Sequence, residues 1–382
     1  MKIKTITCHH VYNYGASLQA YALQHYLESL GHDVEIIDFN PWFHRARYNP
    51  FWIHPNAYGI SAKIIKMLPV MKYIVTPLQA YRKGMFKTWG RKKAFDKFEK
   101  QYYNLTNYKY LSSDDLKRNP PVANIYVAGS DQIWNTYYEN GKEPAYYLDF
   151  GDKKTKRISY AASLATSSIK DGYESFVKDE LKKFNAISVR EITGAQVLNQ
   201  LGFENISVVL DPVFLLDGKD WEKLSMKGKN YGLVPNTYVL VYDFLGNDDN
   251  MIAFIKNYAK FRNLRIVSIN DFSSRKYAHI NINNAGPLEF LSLIKESACV
   301  VASSFHATAF SILLRKEFYT FQLKGDNNAS RMKDLLLSIG LSERFNPQRN
   351  ILQTIDWKCV YSKLLNLKNI SKQFLESNIY SI

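Results

Sequence analysis

Apolar and polar positions along the chain follow two rhythms, and the change from one to the other recurs from end to end. Short apolar runs suited to strands alternate with stretches whose apolar residues return every three or four positions, as on one face of a helix. The first forty residues already form a complete unit. Lys2 to Thr7 predicts a strand, and Ser17 to Leu30 predicts a helix with Leu18, Tyr21, Ala22, Tyr26, Leu27 and Leu30 largely on one face. Gly31 is a suitable C-terminal stop, and Asp33 to Phe39 predicts the next strand. Such a crossover is what a parallel sheet requires.

The rhythm resumes at Ile125 to Ala128 and at Arg157 to Ala162, both predicted strands with little polar interruption. That composition suits strands covered on both faces. A helix follows over Tyr173 to Phe184, then strand Ala186 to Val189, helix Gly194 to Leu201 and strand Ile206 to Leu210. Asp217 to Asn236, rich in Gly, Lys and Asn, reads as a linker. Beyond it the predicted strands are Tyr238 to Tyr242, Arg265 to Ile269, Cys299 to Ala302 and Glu317 to Phe321. The helices between them are Asp249 to Phe261, Pro287 to Glu296 and Ala307 to Leu314. Residues from about Thr354 to Leu375 read as a helix that crosses back to the first half. The fold class is therefore α/β: two doubly wound, Rossmann-like domains in tandem with the active site in the cleft between them. The expected division is 1–217, with an insertion over about 41–110, then 237–350, then a C-terminal helix in 351–382.

Length and composition agree with this reading. A chain of 382 residues suits two ordinary domains, and 46% hydrophobic with 22% charged residues is a globular balance. Cys8, Cys299 and Cys359 are too scattered for a disulfide framework or a Cys-rich zinc site. No secretory leader and no membrane-spanning run is expected, so the chain is expected in the cytoplasm. No metal and no resident cofactor is expected.

The net charge of +15 is uneven. Residues 41–95 contain no Asp or Glu but eleven Lys or Arg: Arg45, Arg47, Lys63, Lys66, Lys72, Arg82, Lys83, Lys87, Arg91, Lys92 and Lys93. Aromatic residues such as Trp42, Trp52, Tyr58, Tyr73, Tyr81 and Trp89 lie among them. Two readings stand side by side: a solvated insertion whose aromatics pack on the domain, or a peripheral contact with an anionic membrane. Nucleic acid is not the expected partner.

Ligands of doubly wound sheets bind beyond the carboxyl ends of strands, where four polar clusters fall. The first, Thr7 to Ser17, precedes a helix and offers Asn13, Gly15 and Ser17, with Asn13 and Ser17 equally suited to be turn and cap residues. It lacks a dinucleotide-binding glycine pattern. The second, Gly129-Ser130-Asp131-Gln132-Ile133-Trp134-Asn135, offers groups for sugar hydroxyls, and Trp134 suits either a sugar ring or the core. The third, Ser188-Val189-Arg190-Glu191, carries an arginine suited to a carboxylate or phosphate. The fourth, Ser303-Ser304-Phe305-His306-Ala307-Thr308, places an imidazole at a helix start, where it suits acid–base work or anion contact.

Together with Leu210-Asp211-Pro212 and the segment Arg331 to Gly340, these clusters resemble, in order, the polysaccharide pyruvyl transferase family. The resemblance implies a GT-B-like fold and transfer of a pyruvyl group from phosphoenolpyruvate, as co-substrate, to two hydroxyls of a sugar. The product is a cyclic ketal, phosphate is released, and the acceptor is a sugar or lipid-linked oligosaccharide. It further implies that Arg190 grips the donor and that His306 takes part in donor binding or proton transfer. His306 is the candidate acid and Asp131 the candidate base, with Ser303, Ser304, Thr308 and Arg331 on the donor side. Asn13, Gly15, Ser17, Gly129, Ser130, Gln132, Trp134 and Asn135 form the acceptor side and its loops. Where several members carry Arg-Leu-His, this chain has Ser304-Phe305-His306. Either Arg331 or Lys324 then supplies the missing charge, or the donor is held differently, or it is another donor. The rival reading is a nucleotide-sugar glycosyltransferase of the same fold, with Glu289 or Asp271 on the ribose. A non-catalytic scaffold at the membrane leaves the four clusters unexplained.

Overall fold

The computed structural model describes residues 1–45, 48–53, 65, 67–82, 85–270, 273–323, 330–347 and 354–381. Arg47, Tyr58, Lys63, Lys66, Lys83, Asp271 and Lys324, all weighed in the sequence, lie outside the described residues.

The first sheet contains β1 (Lys2–Ile6), β2 (Asp33–Ile36), β3 (Ile125–Ala128) and β4 (Lys156–Ser159), all parallel, in the order β2-β1-β3-β4. Bridges from Ile158 to Ala186 and from Ala162 to Val189 continue it toward the pair β5 (Ser188–Val189) and β6 (Ser207–Val208). The second sheet contains β7 (Tyr238–Tyr242), β8 (Arg265–Ile269), β9 (Ile280–Ile282), β10 (Cys299–Ala302) and β11 (Glu317–Thr320). It is also parallel, in the order β11-β10-β7-β8-β9. Strands β3, β7 and β10 are buried at every position, as their continuous apolar runs require.

Helix α1 (Tyr14–Ser29) follows β1, and Asn13 caps it by accepting from the backbone N–H groups of Gly15 and Ala16. The basic insertion holds α2 (Lys72–Arg82) and α3 (Trp89–Tyr102), and α4 (Ser113–Arg118) precedes β3. Helices α5 (Glu174–Leu181) and α6 (Ile192–Gln200) flank β5. The stretch read as a linker contains α7 (Gly218–Ser225), a departure with a clear cause. Asp217 and Asp220 form a capping box, and Trp221 and Leu224 are buried. Gly and Lys counts describe that stretch's surface and miss its two anchors. Helices α8 (Asp249–Phe261), α9 (Pro287–Glu296) and α10 (Phe305–Leu313) link the strands of the second sheet, and α11 (Ser330–Ile339) follows β11.

The last helix, α12 (Trp357–Tyr380), touches both halves. Tyr361 donates to the carbonyls of Ile312 and Leu313, while Ser371 accepts from Leu210 N–H and Glu376 accepts from Tyr26. The two halves also meet beside the first cluster. Tyr14 stacks on Phe290 at 4.5 Å between centroids, and Arg91, buried against the Tyr14 and Phe95 rings, donates to the carbonyls of Tyr12 and Ala285. Arg91 is therefore a structural cation between the halves and not part of a basic surface. One apolar core runs through both sheets at this junction, so the walls of the cleft are held close together.

Candidate active site

The carboxyl ends of β1, β3, β7 and β10 open on one cleft of about 660 Å³, within the range of small-molecule sites. Its walls include Asn13, Asp131, Ser303, Ser304, His306 and Arg331. Cys8, Gln132, Tyr138 and Phe244, from the adjoining loops, also face it.

Beneath the cleft lies a carboxylate to which the sequence reading assigned no role. Asp211, fully buried, stands 2.5 Å from Arg190 Nη1, 3.3 Å from His306 Nε2 and 3.4 Å from Ser130 Oγ. Its second oxygen accepts from Val213 N–H. Burial opposes ionisation of Asp211, but His306, Arg190 and that backbone donor outweigh it and hold the carboxyl well below the usual carboxylate range. Its sequence signal was an acid placed directly after the apolar run ending at Leu210.

His306 sits in the first turn of α10, whose N-cap is Ser304; the Ser304 hydroxyl accepts from Ala307 N–H. Its ring lies against Gly15. A Cβ on Gly15 would stand 1.9 Å from His306 Nδ1, so only glycine lets α1 approach this closely. The N-termini of α1 and α10 thus converge at the cleft, and both helix dipoles favour an anion there.

Arg190 departs from the expected donor grip: it and His306 share the buried Asp211. Its side chain is 1% exposed, lies 4.7 Å over the Phe305 ring and stands 3.6 Å from Asp131. Its Nε and Nη2 have no hydrogen-bond partner among the described residues, and it borders a second, mainly apolar cavity of about 120 Å³ shared with Leu210, Phe305 and Arg331. Arg190 is therefore a buried counter-charge under the floor. Its neighbour Glu191 is a structural anchor that accepts from Ser163 Oγ and from the N–H groups of Leu164 and Ala165.

The loop after β3 divides between the cleft and the scaffold. Gly129 has φ +124°, and a Cβ there would stand 2.1 Å from the Tyr160 carbonyl. Ser130 is fully buried; its backbone N–H donates to Gln19 Oε1 and its hydroxyl donates to the Ala161 carbonyl. Asp131 takes a left-handed φ of 71°, which turns its carboxylate toward the cleft. The Cys8 thiol, 3.7 Å from Asp131, is pushed well up by burial and by that carboxylate, the reverse of what an activated thiolate needs.

Four further residues named for the site lie away from the cleft, and for Trp134 the structure selects the core of the two readings left open. Trp134 is 1% exposed, stacks on Tyr147 and donates to the Tyr146 carbonyl, so it is core and no sugar platform. Asn135 is buried and ties its own loop by donating to Gln132 and accepting from Tyr137 N–H. Thr308 points to β11, where its hydroxyl meets that of Thr320 at 2.6 Å. Ser17 lines a separate small cavity with His9, His10 and Glu99. Because Trp134 fills core, Trp134→Ala is expected to cost about 3–5 kcal/mol, read as a lower denaturation midpoint.

The described part of the chain contains no helix long and apolar enough to cross a membrane. A family model, polysaccharide pyruvyl transferase, matches residues 13–323, most of the chain and every residue of the cleft except Cys8, Val11, Arg331 and Met332. The chain belongs to the polysaccharide pyruvyl transferase family. Among curated proteins, none matches its sequence significantly. Solved structures share the two-domain GT-B architecture. The glycosyltransferase AviGT4 of avilamycin A biosynthesis aligns with a TM-score of 0.50 at 10% identity, over 99% of this chain and 97% of its own. The UDP-GlcNAc 2-epimerase of Methanocaldococcus jannaschii aligns with 0.48 at 13% identity, over 97% and 93%. That of Neisseria meningitidis aligns with 0.47 at 12% identity, over 99% and 100%.

Proposed function

We propose that this transferase moves a pyruvyl group from phosphoenolpyruvate to two hydroxyls of a sugar in a surface polysaccharide precursor, forming a cyclic ketal and releasing phosphate. The observation that carries the reading is the meeting of His306 and Asp131 at one cleft where two helix N-termini converge. Its volume of about 660 Å³ accommodates a small dianionic donor together with a sugar.

In this reading His306, steadied by Asp211, gives a proton to the donor's methylene carbon, and Asp131 takes the proton of the first attacking hydroxyl. One C–O bond forms at C2. The second hydroxyl then forms the other C–O bond as the bond from C2 to the phosphate oxygen breaks, and its proton leaves with phosphate. The N-terminus of α10 and Arg331 receive the donor's anionic groups. Arg331 thereby supplies the charge that Ser304 lacks. Glu289 does not support the glycosyltransferase reading, because its side chain accepts from Gly286 N–H as a helix cap.

Mass spectrometry of lipid-linked sugars incubated with phosphoenolpyruvate tests the proposal. A pyruvyl mass increment with phosphate release is expected; transfer from a nucleotide sugar instead would overturn it. Arg331→Ala is expected to raise KM for phosphoenolpyruvate more than it lowers kcat, as measured by initial phosphate-release rates. A lipid-linked acceptor also suits the insertion, where Val70, Tyr73, Ile74 and Tyr81 are exposed near Lys72 and Arg82. Co-sedimentation with anionic vesicles, lost at high salt, is the expected result for that surface.

A further inference from the structure

The loop that follows β1 has two faces. Cys8 and Asn13 face the cleft, while His9 and His10 turn away from it toward Glu99 on α3. These two histidines are not used by the chemistry above, yet their surroundings are built in unusual detail.

His9 is 3% exposed, and its Nδ1 lies 3.2 Å from the Thr7 carbonyl. A carbonyl oxygen only accepts, so Nδ1 carries the hydrogen and Nε2 of the neutral ring carries a lone pair. That Nε2 is buried and has no hydrogen-bond partner among the described residues. His10 repeats the arrangement. Its Nε2 lies 2.7 Å from Asp38 Oδ1, so that nitrogen is the N–H donor, and its Nδ1 lies 3.3 Å from Glu99 Oε2. The two rings stand 4.1 Å apart, and one ligand atom from each of His9, His10 and Glu99 falls within 4.8 Å of the others. A cavity of about 10 Å³ lies among them, close to the space of a single ion or water.

We propose that His9, His10 and Glu99 form a zinc site, with His9 Nε2, His10 Nδ1 and the Glu99 carboxylate as ligands. Two imidazoles and one carboxylate are a zinc donor set that leaves one position for solvent. Each imidazole already gives its other nitrogen to an oxygen acceptor, Thr7 O or Asp38, which fixes ring orientation and raises ligand basicity. A protonated His10 paired with both carboxylates would account for His10 and Glu99. It leaves the buried His9 Nε2 unexplained, and the metal explains all three. The bound ion ties the loop carrying Cys8 and Asn13 to α3, and so acts on the cleft wall from behind. This site departs from the expectation of no metal. Its ligands are adjacent in sequence on one side and some ninety residues apart on the other, a spacing with no familiar pattern.

The test uses full-length protein stripped with a chelator and titrated with Co²⁺ alone, then with Zn²⁺. One equivalent of Co²⁺ is expected to produce visible d–d absorption, Zn²⁺ to bleach it, and either ion to raise the thermal midpoint. Glu99→Gln and His9→Ala are expected to lose the band while keeping native circular dichroism. Asp38→Asn is expected to keep it with affinity lower by about 10- to 100-fold. Should His9→Ala not fold, the isosteric Glu99→Gln decides. The proposal is overturned if folded wild-type protein binds no stoichiometric metal, or if Glu99→Gln binds it unchanged. None of these readouts depends on the transferred group, so the site and the proposed activity stand or fall separately.

Discussion

Asp211→Ala is expected to destabilise the fold by about 3–5 kcal/mol, because it leaves the buried Arg190 guanidinium without its closest counter-charge. Chemical denaturation of both proteins measures the difference. The pH dependence follows from the direction of the Asp211 shift. Its folded pKa lies well below the unfolded value of about 3.9. A depressed carboxylate contributes stability that is fully present above the unfolded pKa and is lost as pH falls through the folded one. The gap between wild type and variant should therefore stay constant from pH 7 to about 4 and narrow only in stronger acid. A gap that closed near pH 6 would contradict the assignment of Asp211 as an ionised hub. Turnover should fall as well, since His306 would lose the group that orients its ring.

Gly15→Ala is expected to remove most of the transfer activity with little change in fold. The added methyl would stand 1.9 Å from His306 Nδ1 and 2.2 Å from Cγ, a distance no side chain tolerates. Either the imidazole swings away from Asp211 or α1 retreats from α10. Displacement of a catalytic group by about 1 Å costs on the order of 100-fold in rate. His306→Ala, which removes the group, is expected to cost about 10²- to 10⁴-fold. Phosphate-release rates measure both, and unchanged circular dichroism for Gly15→Ala separates displacement from unfolding. Near-wild-type activity in either variant would place the proton donor elsewhere.

Much of the fold was legible because its causes are local. Buried parallel strands need unbroken apolar runs, and Ile125–Ala128 and Tyr238–Tyr242 have them. Asn13 announces a helix start because a short polar side chain satisfies free backbone donors. The helix at Gly218–Ser225 was missed because two buried side chains, Trp221 and Leu224, outweigh a loop-like composition. Strand β9 was missed because three residues carry no periodicity.

The cleft was legible in outline and misread in part, for reasons of distance. Trp134 follows a strand end, and nothing nearby in sequence states that the Tyr146–Tyr147 segment folds back to enclose it. Arg190 carries the right chemistry for an anion, but Asp131 and Asp211 reach it first.

By itself the sequence determined the alternation of strands and helices, the strand ends at which polar groups gather, and the place of His306 at a helix start. Each follows from backbone hydrogen bonding and apolar periodicity within a few residues. Only the tertiary structure decided that Arg190 and His306 meet on one buried carboxylate, and that Gly15 makes room for the imidazole. Those contacts join residues far apart in the chain, and they exist only once two sheets have packed and water has been excluded between them.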